Sequence, residues 1–270
     1  MASRRKPASQ PPAEPAIPQA EIDRQVQRAV ERTLARNIPG LRLPAQELDI
    51  EVGQTPKELV YASDTLRLYR YLPMLAEIYR VPVLIIMSPV SKGYILDLAA
   101  GQSFVEYLVL QGYDVYMIDW VAPRREHAAL GIEAFVCEMI NDAMERVAAD
   151  CGESDLTVIG YCLGGLLACL HAALYPRSGL KNLVCFTTPV NADGMTLYKQ
   201  WVTSKAFDVD RLVTELGVIP GEMINASIQA LRPLQRRANQ LQLLNNVGND
   251  AFVKANLRFD RWAADQLPLP

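Results

Sequence analysis

The sequence predicts an α/β protein: a mainly parallel β-sheet with helices on both faces. Three observations carry this. Short β-rich runs at Val81–Met87, Tyr113–Asp119, Leu156–Ile159 and Asn182–Thr187 alternate with helical spacing at Ser103–Leu110, Ile132–Ala149 and Leu163–Leu174, as βαβ units require. Val83-Leu84-Ile85-Ile86 is apolar at every position, the mark of a strand buried on both faces. Glycines at 160, 164 and 165 interrupt an apolar stretch at a strand-to-helix junction.

The elements follow in chain order. Residues 1–20 hold five prolines and no bulky apolar cluster, which predicts a disordered leader. Residues 21–50 supply an amphipathic helix and a linker. Ile22, Val26, Val30 and Leu34 recur every four residues until Pro39-Gly40 stops the pattern. The apolar stripe fits packing on its own domain or docking on a partner. Leu59-Val60-Tyr61 and Leu66-Arg67-Leu68-Tyr69 flank Ser63-Asp64 as a β-hairpin. The α/β core is expected over 51–189. After Thr188 the alternation stops, and 190–270 reads as a helical cap containing Trp201, Phe207 and Trp262, with Leu267–Pro270 extended and unclosed.

The 270 residues carry 27 basic and 30 acidic side chains, a net charge of -3, and are 50% hydrophobic. That composition supports a sizeable core and argues against nucleic-acid binding driven by charge. Five cysteines in a chain of this length do not form a disulfide framework, which points to a reducing, cytoplasmic setting. Leu156–Pro176 lacks Asp, Glu, Lys and Arg for 21 residues, long enough to span a membrane. Its three glycines and His171 fit a buried strand-turn-helix better than a span.

The strongest chemical signal is Gly160-Tyr161-Cys162-Leu163-Gly164, a G-x-nucleophile-x-G pattern with Cys at the centre. Gly160 and Gly164 form the elbow, letting strand and helix approach closely. Cys162 sits in a strained backbone with its side chain in the open. The helix N-terminus favours thiolate, and the Leu163 N–H is free to bind an oxyanion. A second donor is expected from the loop Ser88-Pro89-Val90-Ser91-Lys92, through Val90 or Ser91. Asp119 closes its strand and either shapes the site or serves as a turn residue. Cys169 reads as core, and no cysteine spacing suggests a metal site.

The elbow, with Gly165, resembles that of the polyhydroxyalkanoate synthases, in particular the catalytic subunit of the two-subunit class III enzymes. Tyr94–Leu98, Tyr113–Trp120 and Thr187-Thr188-Pro189-Val190 support the resemblance, which runs from about Glu51 to the end. It implies an α/β-hydrolase fold and polymerisation of (R)-3-hydroxyacyl-CoA, with the family's nucleophile on Cys162. Acyl-CoA is then a substrate, and no metal or prosthetic group is needed. Further implied partners are the growing polyester, a second synthase subunit and other copies in an oligomer, with a cytoplasmic location at the polyester granule surface. Three positions depart from the family pattern. Val90-Ser91-Lys92 stands for Ile-Asn-Lys, Val121 for Gly after Asp119-Trp120, and Asn191 for Asp after Pro189-Val190.

The family places its triad Asp and His on loops after the cap. This chain has two histidines. His171 lies on the Cys162 helix, about 13.5 Å along its axis, and reads as a packed residue. His127 reads as a solvated loop residue. A nucleophile without an evident base suggests a C-terminally truncated chain with an incomplete sheet, or a member that has lost competence. Two other readings remain: a thioesterase or other cysteine hydrolase on the same fold, and a non-catalytic protein that binds a synthase or granule.

Overall fold

The computed structural model describes residues 51–270, apart from 64, 192, 205–207, 232–234 and 247. The chain divides into Met1–Asp49 and Ile50–Pro270. The leader expected over 1–20 and the helix and linker over 21–50 lie outside the described residues.

Six strands form one mixed sheet among the described residues. They are β1 (Lys57–Ser63), β2 (Leu66–Tyr71), β3 (Val83–Ile86), β4 (Val115–Trp120), β5 (Leu156–Tyr161) and β6 (Leu180–Phe186), in the order β1-β2-β4-β3-β5-β6. The hairpin forms where the alternation places it, with Leu59 opposite Tyr69 and Ser63 opposite Leu66. β2 pairs antiparallel with β4, and β4, β3, β5 and β6 run parallel. β3 is central, and all four of its residues are buried, each such aliphatic side chain contributing about 1.5–3 kcal/mol. Ile86 is level with Ile118 on one side and Gly160 on the other. The carboxyl ends of these strands therefore meet at one edge, where α/β sheets present their crevice.

The connecting helices are α1 (Phe104–Leu110), α2 (Ile140–Cys151) and α3 (Leu163–Leu174). Ser103 caps α1 by accepting from the Glu106 N–H at 2.9 Å. Its hydroxyl also donates to Asp97 at 2.8 Å, and Thr55 donates to the same carboxylate oxygen at 2.6 Å. Ile132–Ala149 is not one regular helix: Ala134–Met139 winds as a π-helix before α2. Apolar spacing cannot separate these windings, since both bury neighbouring positions on one side.

The helices α4 (Thr196–Val202), α5 (Val209–Leu216), α6 (Gly221–Leu231), α7 (Gln235–Asn245) and α8 (Asp250–Ala264) follow β6. The tail is not unclosed as expected. Leu267 is buried and donates its N–H to the Val90 carbonyl at 2.8 Å, while Leu269 exchanges two backbone hydrogen bonds with Ile219. The alternation of leucine and proline explains this. Leu267 and Leu269 supply donors to their partners, whereas Pro268 and Pro270 have no N–H to satisfy. The stretch Leu156–Pro176 is β5 plus α3, and among the described residues no helix is long and apolar enough to cross a membrane.

Candidate active site

β5 delivers the chain to Cys162 and α3 leaves at Leu163. Between them Cys162 adopts φ 53°, ψ −123°, a left-handed conformation that non-glycine residues avoid. The close approach of strand and helix explains the flanking glycines. A Cβ on Gly164 would strike the carbonyl oxygens of Ile86 and Met87, and one on Gly160 would strike Gly165. The Cys162 N–H donates to the Phe186 carbonyl at 2.9 Å, fastening the turn to β6. Cys162 is half-buried. Leu163 opens α3, and a helix of this type has no internal acceptor for its first N–H groups.

The loop after β3 lies beside this turn. The Ser91 N–H donates to the Ser88 carbonyl at 3.0 Å, so of the two expected donors it is Val90 whose N–H is not engaged in that turn. The loop is held on three sides. Asp119 accepts from the Gly93 N–H at 3.0 Å, and burial raises its carboxyl pKa above the ordinary carboxylate value. Trp120 donates its indole N–H to the Met87 carbonyl at 2.7 Å. From the far end of the chain, Trp262 on α8 donates to the Lys92 carbonyl at 3.1 Å, Tyr94 donates to Asp265 at 3.2 Å, and Leu267 holds Val90. Asp119 thus anchors the loop that carries Val90. Trp262 and Leu267 escaped sequence reading because their partners are about 170 residues away in the chain. The Leu-Pro alternation was the only local signal.

Neither histidine forms a hydrogen bond with Cys162. His171 is buried on α3 with its Nε2 unpartnered, and burial pushes its pKa down. His127 is not a solvated loop residue. It closes a short 3-10 helix, Arg125–His127, is buried, and its Nδ1 accepts from the Arg124 N–H at 2.9 Å. That capping bond draws the ring inward. Cys169 is not core either: it is half-buried and its sulfur lies 3.6 Å from that of Cys185. Thr187, beside the elbow, is the second non-glycine residue with positive φ among the described residues, at 52°. Nothing in its composition announced this.

Strand, strained cysteine, helix N-terminus and facing loop thus meet at the carboxyl edge of the sheet. A family model for the alpha/beta hydrolase fold matches residues 95–263. The chain belongs to the α/β-hydrolase fold family. A second model, the N-terminus of poly-beta-hydroxybutyrate polymerase (PhaC), matches residues 43–108. Its relatives include proteins named poly(3-hydroxyalkanoate) polymerase subunit PhaC. The PhaC subunit of Synechocystis is 34% identical over 85% of this chain and 61% of its own length. That of Allochromatium vinosum is 33% identical over 80% of this chain and 61% of its own. The chain therefore spans about three-fifths of these relatives. Among solved structures, a probable hydrolytic enzyme from Pseudomonas aeruginosa aligns with a TM-score of 0.42 at 17% identity, covering 81% of this chain and 70% of that one.

Proposed function

We propose that the chain is an acyltransferase that takes (R)-3-hydroxyacyl groups from coenzyme A onto Cys162 and passes them to a growing polyester. The observation that supports it most is the backbone of Cys162, strained at φ 53° between β5 and α3, in a chain whose relatives are named poly(3-hydroxyalkanoate) polymerase subunits. The thiol loses its proton to a base, and sulfur attacks the thioester carbonyl. The N–H groups of Leu163 and Val90 hold the oxyanion. Coenzyme A leaves as its thiol, and an acyl-Cys162 thioester remains. The hydroxyl of a second hydroxyacyl unit attacks that thioester, lengthening the polymer and freeing Cys162. Thioester exchange between sulfurs is nearly thermoneutral, which suits sulfur better than a serine oxygen. The helices of 190–270 act as the cap that keeps water from the intermediate.

Polyester, a second synthase subunit of the class III type and further copies of the chain belong to this reading as partners, with the granule surface in the cytoplasm as its location. His127 is held by the Arg124 N–H and His171 is buried along α3; neither hydrogen-bonds Cys162, so in this reading the general base is another group.

The test is release of coenzyme A from 3-hydroxybutyryl-CoA by the native chain and by Cys162→Ala. The expected result is release in proportion to intact Cys162 and none from the variant, with acyl mass on the peptide carrying Cys162. Equal release from both proteins overturns the reading. Free hydroxy acid without oligomer would instead make the protein a thioesterase. Stable folding and partner binding with no release from either would make it a binding protein.

A further inference from the structure

Behind the elbow lies a second pair of sulfurs that acyl transfer does not use. Cys169 is on α3, seven residues after the nucleophile, and Cys185 is on β6. Their Sγ atoms are 3.6 Å apart, a van der Waals contact between two free thiols. Cys185 is exposed and Cys169 half-buried, so one sulfur is open to small oxidants while the other stands directly behind it. Partial burial and the neighbouring sulfur raise the Cys169 pKa. Cys185 is level with Gly160 in the sheet, and β6 continues to Phe186, whose carbonyl holds the Cys162 N–H. A covalent link at this point would join α3, which leaves the elbow, to β6, whose Phe186 carbonyl fastens it.

We propose that Cys169 and Cys185 are a dithiol oxidation site, closed to a disulfide by hydrogen peroxide. Cys185 attacks the peroxide O–O bond, becoming a sulfenic acid and releasing water. Cys169 then attacks the sulfenic sulfur, and a second water leaves. The two thiols give up two protons and two electrons, and one peroxide becomes two waters. Closure from 3.6 Å to the bonded distance of about 2.05 Å is a movement of about 1.5 Å, within reach of side-chain rotation on an outer strand. Thiol reductants reverse it by exchange.

Hydrogen peroxide in small excess, applied to the folded native chain, tests this. The expected product loses two of its five titratable thiols and two mass units, and digestion gives a peptide joining Cys169 to Cys185 that dithiothreitol separates. The Cys162→Ala variant forms the same link, so the outcome does not depend on acyl transfer. Cys169→Ser leaves a sulfenic acid on Cys185 that dimedone captures within one chain. Full retention of both thiols while Cys162 oxidises, sulfinic acid on Cys185 as the main product, or a disulfide joining two chains would each overturn the assignment.

Discussion

Replacing Cys162 by glycine and by alanine separates the strain of the elbow from its chemistry. Both substitutions remove the sulfur, so neither protein releases coenzyme A. They differ in the backbone, because at φ 53°, ψ −123° alanine keeps the Cβ clash that glycine lacks. Holding a non-glycine residue in such a conformation costs about 1–3 kcal/mol. Glycine's greater freedom in the unfolded chain takes back about 0.5–1 kcal/mol, and the lost methyl at this half-buried position takes back less than about 0.8 kcal/mol. Cys162→Gly is therefore expected to be more stable than Cys162→Ala by about 1 kcal/mol, a rise in Tm of about 2–4 °C for a domain of this size. Urea unfolding with a common m-value, followed by circular dichroism, measures the difference. An alanine variant that melts at or above the glycine variant would refute the argument that the turn stores strain.

His171 is held neutral by burial, its pKa below the ordinary value, so its contribution to stability is complete above pH ~6.5 and is lost as pH falls through the unfolded pKa toward the folded one, with a slope of at most about 1.4 kcal/mol per pH unit; His171→Leu flattens that part of the pH–stability curve. Asp119→Ala orphans the Gly93 N–H and costs about 1–3 kcal/mol, whereas Asp119→Asn keeps an acceptor without a buried charge and is close to neutral in chemical denaturation. Leu267→Ala opens a buried site at a cost of about 2–5 kcal/mol, and frees the tail to carboxypeptidase while slowing acyl capture through Val90. Gly164→Ala forces a Cβ against two β3-end carbonyls and destabilises by at least about 1–3 kcal/mol, read as loss of folded yield.

Much of the core was legible because its periodicities are local and uninterrupted. The four apolar residues Val83–Ile86 leave no polar face for solvent, so β3 had to be central, as it is. α3 runs from Leu163 to Leu174, the limits its pattern indicated, because Gly160 and Cys162 fix its start and Pro176 its end. The elbow was legible for a similar reason. Small residues two before and two after one nucleophile have meaning only where a strand and a helix nearly touch.

What stayed hidden depends on contacts between distant segments. His127 looks like a solvated loop residue in sequence, yet a backbone N–H accepted by the imidazole turns it inward. Cys169 and Cys185 are unremarkable separately and become a pair only when α3 crosses the face of β6. The loop that carries Val90 shows the same principle most fully. Its Ser-Pro-Val-Ser composition specifies a turn but no unique shape, and its position is set by Asp119, Trp262 and Leu267 from three other parts of the chain. An oxyanion donor must stand within a few tenths of an ångström of its target to matter. Shaping the loop from outside therefore separates two demands of the proposed mechanism: the elbow's pattern is written in one short segment, while the facing N–H depends on the closure of the last helix and tail over the sheet.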